Sequence, residues 1–211
     1  MEPLRAVVVI DYQNIHLTAH ERFVPPEVPK HESLVHPLLF AQQVLAVRER
    51  RLAAKALAAS GEAAPFRKAT LTSVRVFRGA PSNHENPSLY RYSQAQRSEW
   101  TRDPRVDVEY RTLKYYWEHG IRMSQEKGID VRVALTLARE AMTGNAGLVI
   151  LASHDTDLEP ALDASVEWST DVLVETAGWD GCRRLRAKTP LRHTSLDQVA
   201  FVHSRDRKDY S

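Results

Sequence analysis

Short β-branched runs alternate along the chain with longer segments whose apolar residues have helical spacing. Uninterrupted apolar runs at 6–10 and 148–152 predict strands covered on both faces of a parallel sheet. The pattern predicts further strands at 73–78, 106–111, 171–175 and 199–202, and helices at 86–101, 130–142 and 158–166. Strands and helices in this alternation indicate right-handed crossovers and a doubly wound α/β sheet.

One helix is marked by its periodicity. In residues 130–142, an apolar stripe is formed by Val131, Ala134, Leu135 and Ala138. Gly144-Asn145 follows as a stop signal. The stripe predicts a helix placed just before the second fully apolar strand.

Residues 18–70 interrupt the rhythm. Pro25, Pro26 and Pro29 precede an Ala/Leu/Arg-rich helical segment at 34–59, which ends at Ser60-Gly61. A first crossover of this length is interpreted as a helical insertion in a single domain of residues 1–203. A lid, a dimer surface and a substrate guide all suit it. The charged residues 204–211 are expected to form a disordered tail.

The composition limits the class of protein but does not indicate which molecule it binds. The 211 residues carry 29 Lys and Arg against 27 Asp and Glu, a formal charge of +2, which does not by itself indicate nucleic acid. No apolar run approaches the roughly 20 residues that span a bilayer. The single cysteine, Cys182, has no partner for an internal disulfide and is expected to be partly buried. These features favour a cytoplasmic protein. Basic runs at 48–51, 183–188 and 205–208 suit either a solvated face or phosphate contact.

Carboxylates follow the two most apolar strands. Asp11 ends the first, and Asp155 and Asp157 follow the one that ends at Ala152. Ligands of open parallel sheets bind at the carboxyl ends of the strands, so these acids are expected to meet there. Clustered carboxylates repel unless a hard cation such as Mg²⁺ or Mn²⁺ neutralises them. Asn14, in the first turn of a following helix, is expected to face the same crevice. Helix capping is the alternative role for each Asp.

Two further segments combine charge with candidate binding groups. Asp130 begins a predicted helix after Lys127-Gly128, where Lys127 suits either phosphate contact or a solvated surface. Lys114 precedes Tyr115, Tyr116 and Trp117. Core packing is expected for these rings, because three adjacent aromatics cannot all face one surface, and base stacking on a single strand is the alternative. Trp168 and Trp179 are expected to be packing residues.

Three blocks together resemble the signature of the NYN domains, the LabA-like branch of the PIN-like nucleases. They are Ile10-Asp-Tyr-Gln-Asn14, Glu126-Lys-Gly-Ile-Asp130 and Leu151-Ala-Ser-His-Asp-Thr-Asp-Leu158. With their strands they cover most of residues 5–17 and 105–175. The resemblance implies a PIN-like three-layer α/β/α sandwich with a central, mostly parallel sheet, and a Mg²⁺- or Mn²⁺-dependent ribonuclease.

The resemblance also implies roles for single residues. Asp11, Asp130, Asp155 and Asp157 would be the acidic metal-binding set, with Asn14 as the polar companion of Asp11 in the catalytic set. Ser153 would shape the turn that leads to Asp155. Independently of the resemblance, Ser153, Lys114 and Lys127 are the candidate substrate-binding residues. The chain departs from the family at Thr136, where many relatives have a further Asp, and at His154, where they often have Gly. His154 is interpreted as a turn residue rather than a proton-transfer group.

The leading hypothesis is a metal-dependent endoribonuclease whose partner is RNA. The alternative is a catalytically weakened RNA-binding or regulatory module, which Thr136 in place of an acid would allow. A phosphatase of the haloacid dehalogenase type is disfavoured because Gln13 stands where that class has a second Asp. The RNA, the number of metals, a protein regulator and a homo-oligomer all stay open.

Overall fold

The computed structural model describes residues 2–60 and 66–210. Its strands are β1 (Leu4–Asp11), β2 (Ala69–Ala80), β3 (Val106–Thr112), β4 (Lys114–Glu118), β5 (Ile121–Gln125), β6 (Leu148–Ala152), β7 (Leu173–Trp179) and β8 (His193–Leu196). Its helices are α1 (Tyr12–Phe23), α2 (Pro37–Ser60), α3 (Pro87–Trp100), α4 (Ile129–Thr143), α5 (Glu159–Trp168) and α6 (Gln198–Ser204). The elements predicted from the pattern are confirmed, except at residues 199–202.

Six of these strands form one parallel sheet in the order β3-β2-β1-β6-β7-β8. Successive side chains of a strand point to opposite faces, and β1 uses both. Ala6, Val8 and Ile10 join the core on one side, whereas Val7 and Val9 join the core on the other. Helices α1, α2 and α6 pack on the first side and α4 and α5 on the second. The fold is therefore the predicted three-layer α/β/α sandwich.

The long first crossover contributes a helix to one of these layers. Phe40, Ala41 and Val44 of α2 are fully buried in the core beside β1. Arg48 of α2 forms two hydrogen bonds of 2.8 Å with the buried carboxylate of Glu175 on β7. The core-facing part of α2 is thus an integral part of the sandwich.

The C-terminal region differs from the sequence expectation in two ways. Residues 199–202 lie in α6, not in a strand, because the side chain of Asp197 accepts a hydrogen bond from Ala200 N and caps a helix. The prediction of a disordered tail is wrong for residues 204–210. The carboxylate of Asp206 accepts hydrogen bonds of 2.6 Å from Trp100 Nε1 and Tyr210 Oη, and all three residues are buried.

Helix α4 packs through a different face than the periodicity indicated. Its core face consists of Ile129, Val133, Leu137 and Ala141. Val131 and Leu135, which belong to the apolar stripe that marked the helix in the sequence, are more than half exposed. The helix therefore has a second apolar face, and pattern alone does not tell which of the two faces packs on the sheet.

The pattern missed the antiparallel hairpin of β4 and β5, which lies outside the main sheet. Its turn is His119-Gly120, with φ angles of 48° and 76°. Two successive positive φ angles are typical of the two-residue turns that match the twist of a hairpin. The packing expected for Trp117 in this hairpin and for Trp168 is wrong, because both side chains are exposed, whereas Trp179 is buried as expected. Cys182 is partly buried against the core, also as expected.

None of the helices in residues 2–60 and 66–210 has the length and apolar character needed to cross a membrane.

The ordered C-terminal segment gives a stability prediction. Asp206→Ala leaves the buried indole N–H of Trp100 and the hydroxyl of Tyr210 without their acceptor. We expect the free energy of unfolding to fall by about 1–3 kcal/mol in urea titrations. Arg207→Ala, at an exposed neighbouring position, is the control and should change it little. Equal stability of the Asp206→Ala variant and the parent would contradict this role of the segment.

Candidate metal centre

Three carboxylates meet at the carboxyl edge of the sheet. Asp11 is the last residue of β1, Asp155 follows β6 by three residues, and Asp130 lies in the first turn of α4. One oxygen from each lies within 4.8 Å of the others. These three residues, separated by more than a hundred positions at the extremes, are three of the four acids in the predicted set; the fourth, Asp157, is not in this group.

The location of the cluster follows from the strand order. From β1 the chain builds β2 and β3 on one side, and it then returns to place β6, β7 and β8 on the other. The order therefore reverses between β1 and β6, which are neighbours in the sheet. In open α/β sheets the crevice at this reversal point is where ligands bind. Asp11 and Asp155 lie at the ends of these two strands.

Ser153 connects the two strand ends. Its hydroxyl donates a hydrogen bond of 2.9 Å to Asp11 Oδ2 and accepts one of 3.0 Å from the backbone N–H of Asp155. Ser153 is 1% exposed, so its hydroxyl is used inside the site. The expected contact of Ser153 with substrate is therefore corrected to a positioning role, which fixes one carboxylate and the loop that carries another.

Burial makes Asp11 an unusual acid. Its side chain does not cap α1 although it precedes that helix, and the residue is only 4% exposed. The pKa of Asp11 is raised to about 7, chiefly by loss of solvent; the Ser153 hydrogen bond opposes the shift, and the charges of Glu126, Asp130 and Asp155 add to it. Burial, then the charge of Asp155, raises the pKa of Asp130 as well. The negative charge of the cluster therefore lowers the stability of the folded state unless a cation is bound.

Glu126 is a fourth acid that sequence reasoning did not select. Its carboxylate accepts a hydrogen bond from the backbone N–H of Gly79 at the end of β2. A Cβ at position 79 would overlap the Glu126 side chain, so glycine permits this contact. Burial raises the pKa of Glu126, followed in the same direction by Asp130. Its place at the start of the Glu-Lys-Gly-Ile-Asp block was the available signal.

Asn14 and His154 hold the loop after β6. Asn14 Oδ1 accepts a hydrogen bond of 2.7 Å from the backbone N–H of His154. His154 Nε2 accepts one from Trp179 N at 3.0 Å, which leaves the proton on Nδ1 to donate to the carbonyl of Arg183 at 2.7 Å. Burial lowers the pKa of His154, in agreement with a neutral ring. Both ring nitrogens are occupied, so the geometry supports the turn role.

Gly178 accommodates the histidine. A Cβ at position 178 would lie 2.4 Å from His154 Cε1. The absence of a side chain at this position of the neighbouring strand β7 thus leaves room for the imidazole of His154.

The other predicted site residues lie at the margin of the centre. Asp157 is exposed and is not one of the three grouped carboxylates; its backbone N–H donates to Asp155 Oδ1 at 3.0 Å. Lys114 and Lys127 are exposed. Thr136 is buried on α4 and lines a cavity of about 790 Å³, whose lining includes none of the three carboxylates.

The donor set fits a hard divalent cation. Carboxylate oxygens are the ligands that Mg²⁺ and Mn²⁺ prefer, and neighbouring ligands of an octahedral Mg²⁺ are roughly 3–4 Å apart. One carboxylate oxygen each of Asp11, Asp130 and Asp155 lies within 4.8 Å of the others, close enough for the three to share one cation. The raised pKa of Asp11 shows that its charged form is unfavourable here, and a bound cation would offset this cost.

Comparisons with known proteins add support for the fold alone. No family model matches the chain, and no curated protein matches it. A solved structure of a protein of unknown function from Vibrio parahaemolyticus RIMD 2210633 is similar, with a TM-score of 0.51 and 13% sequence identity. The similarity covers 93% of this chain and 94% of the other. At this identity it shows a shared α/β fold.

The buried acid gives a prediction that needs no knowledge of the substrate. The pKa of Asp11 is about 7 in the folded chain and 3.8 for a solvent-exposed Asp, the value taken for the unfolded chain. As pH rises, Asp11 therefore loses its proton first in the unfolded state. The free energy of unfolding therefore falls between about pH 4 and pH 7 and stays reduced above it, by up to about 4 kcal/mol. Asp11→Asn removes this penalty.

At about pH 8 with chelator, Asp11→Asn should be more stable than the parent by roughly 2–4 kcal/mol in urea titrations. The difference should shrink towards pH 4. Asp157→Asn, at an exposed acid two residues from Asp155, is the matched control and should change stability little. If Asp11→Asn is less stable than the parent at pH 8, the charged carboxylate of Asp11 does not destabilise the folded state, and this account is contradicted.

Proposed function

We propose that this protein is a divalent-metal-dependent endoribonuclease that hydrolyses RNA phosphodiester bonds. The observation that supports the proposal most is the group formed by Asp11, Asp130 and Asp155 at the reversal point of the sheet. Each of the three sequence blocks that resemble the NYN signature contributes one of these acids. A resemblance formed from separate parts of the sequence thus converges on one place in the fold.

In this proposal, Asp11, Asp130 and Asp155 hold Mg²⁺ or Mn²⁺. The bound cation would act as a Lewis acid that activates water for in-line attack on phosphorus and offsets charge on the phosphate oxygens. Ser153 keeps the Asp11 carboxylate oriented, and Asn14 and His154 fix the loop that presents Asp155. Exposed Asp157 and Lys127 flank the centre, where Lys127 is available to hold an RNA phosphate.

The alternative is an RNA-binding or regulatory module with little turnover. Two observations favour it: Thr136 supplies no carboxylate, and Asp157 lies outside the grouped acids. A centre with three grouped carboxylates has less negative charge for a second cation. Binding of RNA without cleavage, unchanged by chelator, would distinguish this function from the first.

Location and further partners belong to the same proposal. We place the activity in the cytoplasm, with support from the single, partly buried Cys182. The exposed apolar face of α4, which includes Val131, Leu135 and Met142, offers a surface for a homo-oligomer or a protein regulator.

The test is cleavage of an end-labelled RNA pool with Mn²⁺, with Mg²⁺ and with chelator. We expect the parent to cut only with metal and Asp155→Asn to lose activity by roughly 100-fold or more, because a ligand is removed. Asp171→Asn, an exposed acid before β7, is the control and should cut normally. Absence of cutting by the parent with both metals, or equal cutting by Asp155→Asn, would overturn the proposal.

A further inference from the structure

The β4–β5 hairpin exposes an unusual amount of apolar surface. Trp117 is 71% exposed, Ile121 64%, Tyr116 42% and Met123 40%, all within eight residues. Single exposed apolar side chains are ordinary on protein surfaces, but four of them in one short hairpin indicate a binding surface. A two-stranded hairpin is marginally stable alone, so these side chains do not serve a core of their own.

The hairpin is fastened to the loop after β2 through Tyr115 and Arg122. Tyr115 Oη accepts a hydrogen bond of 3.2 Å from Ser82 N, in the loop after β2. Arg122 lies over the Tyr115 ring at 5.1 Å and forms an ion pair with Glu85 in the same loop. Trp117 lies directly opposite Arg122 and is nevertheless 71% exposed, so these contacts leave its ring accessible.

The hairpin adjoins the carboxylate centre along the chain. It begins just after the carboxyl end of β3 and is followed directly by Glu126, whose side chain bonds to Gly79 at the end of β2. Asp130 of the metal centre lies five residues after the last residue of β5. The apolar surface is therefore attached to the same edge of the sheet as the centre.

The surrounding charge favours a polyanion. Arg111, Lys114 and Lys127 flank the hairpin on both sides and are exposed. Within the described part of the chain no salt bridge involves any of the three. The guanidinium of Arg111 lies against Gly128, two residues before Asp130. Cations beside exposed aromatic rings are the combination that holds a phosphate backbone and stacks its bases.

We propose that the β4–β5 hairpin is a stacking platform that binds single-stranded RNA beside the carboxylate centre. Trp117 and Tyr116, which project from opposite faces of the ribbon, stack on unpaired bases, and Lys114, Arg111 and Lys127 bind the phosphates. Bases in a duplex are already stacked and paired, so single strands are preferred. This inference rests on the proposed function, because that function identifies RNA as the substrate. Binding of RNA to the hairpin and cleavage of RNA can be measured separately.

The test measures binding of a labelled RNA of about 12 nucleotides, as a single strand and as a duplex, by fluorescence anisotropy with chelator present to prevent cleavage. Trp117→Ala and Tyr116→Ala should each weaken single-strand binding roughly tenfold, and Trp117→Phe should restore part of the loss because it keeps a ring. Trp168→Ala is the matched control, since this exposed tryptophan lies on α5. It should bind as the parent does.

Circular dichroism and urea titrations of each variant separate lost stacking from lost folding. Unchanged single-strand affinity in folded Trp117→Ala and Tyr116→Ala, equal affinity for duplex, or no binding by the parent would overturn the inference. If these variants bind and cut as the parent does, the hairpin proposal fails and the ribonuclease stands. If binding depends on the hairpin but the parent never cuts with metal, the ribonuclease fails and the hairpin proposal stands.

Discussion

The hydrogen bond from Ser153 to Asp11 connects the two halves of the sheet at the carboxylate cluster. It connects the end of β1, from which one half of the sheet is built, to the loop after β6, from which the other half is built. The bond stabilises the charged form of Asp11, yet burial and three neighbouring acids outweigh it and leave the pKa near 7. The fold thus maintains a carboxylate in a place where it is unfavourable without a cation. Such opposition between stability and charge is typical of functional sites.

The supporting contacts are directed at the same loop. Asn14 bonds to the backbone of His154, and the neutral His154 ring joins that loop to Trp179 and the carbonyl of Arg183. Gly178 and Gly79 leave room for the side chains of His154 and Glu126. The contacts of Asn14 and His154 therefore keep the loop that carries Asp155 fixed. Whether RNA is the substrate is a separate question, which depends on the sequence resemblance and the proposed hairpin surface.

Much of the fold could be predicted because its strongest signals are local. The runs 6–10 in β1 and 148–152 in β6 are apolar at every position, as expected for strands covered on both faces. Acids at the ends of such parallel strands share one edge of the sheet. Glu126 was missed because a lone Glu in a loop has no periodicity. Its role depends on Gly79, which lies 47 residues away in the chain.

The wrong predictions arose where tertiary contacts decide. Residues 199–202 have the composition of a strand, but the cap from Asp197 makes them helical. The charged composition of residues 204–211 does not indicate that Asp206 accepts hydrogen bonds from the buried side chains of Trp100 and Tyr210. Helix α4 has two apolar faces, and only the position of the sheet determines which one is buried.

The central claim is that Asp11, Asp130 and Asp155 form a divalent-metal site, and calorimetric titration with Mn²⁺ tests it most directly. The parent and Asp11→Asn are titrated about one pH unit below and above the Asp11 pKa of about 7. We predict that the parent binds Mn²⁺ more tightly at the higher pH and releases about one proton on binding at the lower pH, because the metal requires the carboxylate form. Asp11→Asn should bind at least roughly tenfold more weakly. No binding by the parent at the higher pH, or equal affinity in Asp11→Asn, would contradict the account.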